Sequence, residues 1–109
     1  MFEGTKIKEK VKIEEYLKLI NNYKESQIEC TDHTFFRLSQ KQRAIFTCSE
    51  LKRILIQDKP FLVGTQFNKN YATFYRRENK TFKIILRIDN RKINIVTFYF
   101  IEEWQIPKI

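Results

Sequence analysis

The chain holds one histidine, His33, and four residues further on stands Arg37. An imidazole can take or give a proton near neutral pH, and a guanidinium can grip a phosphate through two parallel hydrogen bonds. On a helix, residues four apart share a face and lie about 6 Å apart along the axis. Arg87, on the polar side of a strand, would add a second phosphate ligand, and Tyr75 a phenol able to stack on a base or donate a proton. Such a set suits RNA cleavage without a metal. The 2′-hydroxyl needs a base, the 5′-oxygen an acid, and the charge developing on the phosphate a cation. The alternative for His33 is a capping or surface role with no proton transfer.

Other chemistries have little to stand on. Gly4 and Gly64 are the only glycines, so no glycine-rich loop can cradle a nucleotide phosphate. A zinc site would have to use Cys30, His33 and Cys48 without a paired-cysteine knuckle. Cys30-x-x-His33 is a poor basis for a nucleophile and its base. No cofactor or metal is expected.

Binding residues are more plentiful. The chain carries 21 Lys and Arg against 13 Asp and Glu, a net charge of +8. Between Lys59 and Tyr99 there are nine basic residues and only two acids, Glu78 and Asp89. Tyr71, Phe74, Tyr75 and Tyr99 are interleaved with them. Cations for phosphates beside aromatic faces for bases are what a groove for single-stranded nucleic acid requires. Arg76, Arg77, Lys83, Arg91 and Tyr99 are the candidate contacts. The competing reading is a solvated sheet face kept charged to discourage edge pairing.

These residues need a scaffold. At 109 residues, 42% hydrophobic and 15% aromatic, the chain has the makings of one ordered domain over 1–109. Residues 7–25 predict an amphipathic helix, with Ile13, Tyr16, Leu17, Ile20 and Tyr23 on one stripe continued upstream by Ile7 and Val11. Ile28-Glu29-Cys30 reads as a short strand, and Thr31-Asp32 as the cap of a helix from His33 to Arg43. Thr47-Cys48-Ser49-Glu50 matches a capping box ahead of Leu51, Ile54 and Leu55. After Pro60 the period changes to two. Strands are predicted at 61–67, 71–77, 81–89 and 92–101, joined by short polar turns into an antiparallel meander. The last of these is the most apolar. Simple alternation puts Ile93, Ile95, Thr97, Tyr99 and Ile101 on one face and Val96, Phe98 and Phe100 on the other. Trp104 is expected to cover an edge of the core. With no apolar leader at Met1-Phe2-Glu3-Gly4 and no run long enough for a bilayer, a cytoplasmic protein is expected, with Cys30 and Cys48 as reduced thiols unless the fold brings them together to pair.

Over residues 27–101 this layout resembles the RelE/ParE-like toxin superfamily, within the larger group of barnase, EndoU and colicin nucleases, and in particular its branch near the BrnT toxins. The stretches that carry the resemblance are Ile28 to His33, Arg37, Arg43-Ala44-Ile45, Ser49-Glu50-Leu51 and Ile95-Val96-Thr97-Phe98-Tyr99. Ala44 stands where that pattern has glycine. The resemblance implies an α+β fold with N-terminal helices packed on a four-stranded, mainly antiparallel sheet. It also implies a metal-independent endoribonuclease of the toxin type using His33, Arg37, Arg87 and Tyr75, with RNA as substrate and an acidic antitoxin as partner. The alternative is a nucleic-acid-binding or regulatory module that has the same basic sheet and no catalysis.

Overall fold

In a computed structural model of the chain, which describes residues 6–109, six strands form one sheet. They are β1 (Ile7–Lys10), β2 (Ile28–Cys30), β3 (Leu62–Gln66), β4 (Tyr71–Arg77), β5 (Lys80–Ile88) and β6 (Ile93–Ile101). The helices are α1 (Ile13–Ile20), α2 (Gln40–Ile45) and α3 (Cys48–Gln57). The spatial order is β1-β3-β4-β5-β6-β2, antiparallel throughout except that β2 runs parallel to β6. This corrects the expectation of a four-stranded antiparallel sheet behind N-terminal helices. The four-strand meander over β3 to β6 is present, but a strand is added at each edge and the sheet is mixed.

The added strand β1 replaces the first turns of the helix expected over 7–25. Ile7-Lys8-Glu9-Lys10 pairs with β3, whose outer row of amides and carbonyls would otherwise face water. Its alternating charge suits an edge strand. Gly64 makes this pairing possible. A Cβ there would stand 2.7 Å from Ile7 Cγ2 and 3.1 Å from the Glu9 carbonyl, where the β1 register shifts. The helix itself begins only at Ile13, with Glu14 and Glu15 favourably placed in its first turn.

The helix expected from His33 does not form either. Residues 32–37 are successive turns, and α2 starts at Gln40 behind the capping box of Ser39 and Gln42. The reason is local competition. The Thr31 amide and the buried Thr34 hydroxyl both donate to the Ile95 carbonyl, at 3.1 and 2.7 Å, and the Thr31 hydroxyl donates to the Val96 carbonyl at 3.2 Å. Threonines that find such partners leave the helix. The Phe98 amide in turn donates to the Thr34 carbonyl. The segment therefore runs along the edge of β6 beyond the end of β2.

Those carbonyls belong to a β-bulge. Leu86 pairs with Ile95 but Ile85 pairs with Thr97, leaving Val96 as the extra residue. The bulge overturns the simple alternation of β6. Ile93 and Ile95 share the helix-covered face with Phe98, while Thr97, Tyr99 and Ile101 join Lys83, Ile85 and Arg87 on the other.

The two faces differ. Tyr16 and Ile20 of α1, with Leu51, Ile54 and Leu55 of α3, pack with Val63, Tyr75, Phe82, Ile84, Leu86, Ile93, Ile95 and Phe98 in the main core. The opposite face has a smaller core of Leu62, Ala72, Phe74 and Ile85, against which Ile7, Phe61, Val96, Ile101 and Ile106 pack. The C-terminal tail lies over the β1–β3–β4 half of that face, where Ile109 nears Gly64. The β5–β6 half is left open.

Cys30, at the end of β2, and Cys48, at the start of α3, are joined in a disulfide. This corrects the expectation of free thiols. The bond closes the loop that carries His33 and Arg37.

Candidate nucleic-acid interface

On the open half of the sheet three side chains meet. The Arg37 guanidinium lies over the Tyr99 ring, its central carbon 4.0 Å from the centroid. Lys83, paired with Tyr99 across β5 and β6, places its ammonium 5.7 Å from the same centroid and 5.3 Å from that of Phe74. Backbone architecture fixes both cations. Arg37 is delivered by the turns pinned to the bulge, and the flip at Val96 turns Tyr99 outward beneath it. Among the described residues, neither Arg37 nor Lys83 has a carboxylate within ion-pairing distance. An aromatic face holds the guanidinium in place and leaves its edge donors available to an anion.

The trio separates two hollows along the strand direction. One, of about 370 Å³, is lined by Arg37, Lys83 and Tyr99 together with Thr97, Asn68 and Asn70. The other, of about 390 Å³, is lined by the same three with Ile101, Trp104 and Gln105. Asn68 and Asn70 arrive on the β3–β4 turn, where Lys69 adopts a left-handed φ of 72° and the Asn70 amide donates to Asn68 Oδ1. Trp104 arrives on a short 3-10 turn, Glu103–Gln105, and is 80% exposed instead of covering the core. Arg87 extends the same face beyond Lys83 and Ile85, opposite Asn94.

Several expected site residues lie elsewhere. His33 is exposed and sets its ring edge-on to Phe36, beside an apolar hollow of about 580 Å³ lined by Phe35, Phe36, Arg43 and Cys48. Neither hollow that Arg37 lines has His33 in its wall. With turns and no helix at 32–37, the shared helical face of His33 and Arg37 does not exist. Tyr75 is 2% exposed and stacks on Phe82 inside the main core, out of reach of a polynucleotide. Burial pushes its pKa up to about 12. The nearby phenol of Tyr16 is raised well above its ordinary value by the same cause. Among the described residues neither hydroxyl finds a partner in hydrogen-bond geometry, so burial and not a bond between them sets the shift.

The basic run is also divided. Arg77 donates to Glu50 at 3.0 Å and to Asp58 at 2.8 Å, tying β4 to both ends of α3. Its hydrogen bond to Glu50 is the largest influence raising its pKa. Arg76 bonds Glu103 at 3.0 Å and covers the Phe61 ring. Glu103 also accepts from the Thr81 hydroxyl at 2.7 Å, and this bond, then Arg76, holds its carboxyl below the usual range. Lys92 pairs with Glu29. Arg91 is exposed at the β5–β6 turn, where its amide and that of Lys92 donate to Asp89. Asn68, Asn70, Thr97 and Trp104 line these hollows although their sequence pattern does not point to a site. The one tryptophan of the chain, in a tail with no strand pattern, was the signal available for the last.

No family model, curated protein or solved structure matches this chain at a significant level. Among the described residues, no helix is long and apolar enough to cross a membrane.

Proposed function

We propose that the open β5–β6 face binds single-stranded RNA as a non-catalytic recognition surface. The observation that carries this reading is the Arg37–Tyr99–Lys83 trio: two cations without acidic partners among the described residues, fixed on aromatic rings between two hollows. Unbalanced cations beside aromatic and amide groups suit a sugar–phosphate backbone with unpaired bases. A duplex keeps its bases stacked inside and offers this surface less.

The toxin-type ribonuclease implied by the resemblance needs a proton acceptor facing the held phosphate. His33, the natural candidate, is absent from both hollows, and that favours binding over cleavage. The test is a titration of labelled single-stranded and duplex RNA followed by fluorescence anisotropy, with the same samples resolved for products. Tighter binding of the single strand, lost in Lys83→Glu and Arg37→Ala and without new ends, is the expected outcome. Chelator-resistant cleavage leaving 2′,3′-cyclic phosphates would restore the enzyme reading, together with its acidic antitoxin partner. Equal binding by the variants would remove the sheet face from consideration.

A cytoplasmic location, where RNA is at hand, belongs to the same proposal. The Cys30–Cys48 bond argues for an oxidising compartment instead. Alkylation of free thiols in freshly lysed cells decides between the two.

A further inference from the structure

The two hollows that share Arg37, Lys83 and Tyr99 are unlike each other. One presents amides and a hydroxyl, from Asn68, Asn70 and Thr97, above an apolar floor of Ile85 and Val96. The other is walled by the indole of Trp104 with Ile101 and Gln105. Between them stand both cations. Resting on the single-strand reading above, we infer that the groove takes RNA as a dinucleotide step. The phosphate joining the two nucleosides sits at Arg37 and Lys83, one base stacks on Trp104, and the other enters the amide-lined hollow.

Each part follows from chemistry. Trp104 is 80% exposed and does not contribute to either core, so its indole has a face to offer. Stacking on it accepts any base, because every base has a π-face. The Asn70 side-chain amide can donate and accept at once, which lets it read a base edge as a cation cannot. The ring of Tyr99 does not serve as a stacking platform on the face that Arg37 covers; it positions the guanidinium. The trio thus supplies affinity, Trp104 tolerance and Asn70 preference.

Trp104 is the only tryptophan in the chain, so its emission reports this site alone. The full chain is titrated with octamers of adenylate, uridylate, cytidylate and guanylate and with an abasic ribose-phosphate octamer, reading tryptophan emission and anisotropy together. Base-bearing octamers should quench emission to saturation, whereas the abasic octamer should bind more weakly and leave it unchanged. Trp104→Ala should weaken the base-bearing octamers by about 5- to 160-fold and leave the abasic one unaltered, and Trp104→Phe should recover most of the loss. Asn70→Ala should narrow the spread of affinities among the four homopolymers. Binding with unchanged emission and full affinity in Trp104→Ala would overturn the dinucleotide assignment while leaving the sheet-face reading intact. An unaltered spread in Asn70→Ala would overturn the base-reading hollow. Failure of every octamer to bind, or full binding by Lys83→Glu, would overturn both readings at once.

Discussion

Tyr75 shows how residue type can mislead when burial decides the outcome. Its neighbours Arg76 and Arg77 made it look like part of a basic, base-stacking strand, yet its side chain points to the covered face of β4. A phenol buried without a hydrogen-bond partner is a cost to the fold, so Tyr75→Phe should leave stability at pH 7 unchanged or slightly raised. RNA binding should be unaffected. The pH dependence carries a definite sign. With a folded pKa near 12 and an ordinary value of 10.0, the unfolded chain loses this proton first as pH rises. Stability is full below pH 10 and falls between about 10 and 12. Urea titrations across that range should show a shallower decline in Tyr75→Phe. An unchanged decline would mean that Tyr16 alone carries the effect.

The elements were legible where a tertiary partner did not compete with local preference. The strands β3 to β6 and the capped helix α3 lie close to where their periods place them, because alternation after Pro60 and the Thr47 cap are unambiguous. The stretches 7–10 and 31–37 were not, since each satisfies its backbone against a distant strand: β3 for the first, the β6 bulge for the second. A bulge leaves no mark in the sequence of a strand apolar on both faces, so the facing of Tyr99 was legible only in part. Two element-scale predictions follow from the same contacts. Phe98 is fully buried among Phe46, Phe82 and Phe100, and Phe98→Ala should cost roughly 3–5 kcal/mol in denaturant unfolding. A loss under about 1 kcal/mol would place it on the open face and deny the bulge. The Cys30–Cys48 bond spans a sequence separation of 18, for which loop closure contributes about 3 kcal/mol. Unfolding midpoints with and without reductant should differ accordingly, and coincident curves would mean that the bond does not form.

At the scale of the whole molecule, the +8 charge is not itself the footprint. Of the nine basic residues between Lys59 and Tyr99, Arg76, Arg77 and Lys92 hold carboxylates from other elements. Arg37, outside that run, becomes central because a turn carries it over β6. What the sequence conveyed was the kind of surface, cations with aromatics; which members of the run remain available depends on acids distant in the chain. This division can be measured. If Arg37 and Lys83 share one phosphate and Arg87 holds a second, log affinity for a single strand should fall with log salt at a slope near −1.4. Arg87→Ala should reduce that slope by about 0.7, the release expected for one phosphate contact. Arg77→Ala should behave in the opposite way. It removes the cation that Glu50 and Asp58 share, leaving Glu50 only Arg53, and should lower stability by about 1–2 kcal/mol, a partly exposed pair being screened. The salt slope should not move, because the Arg77 side chain is engaged with α3, which packs on the covered face. A slope that flattens equally in both variants would mean that the cations act as a diffuse field and that the groove has no privileged contacts.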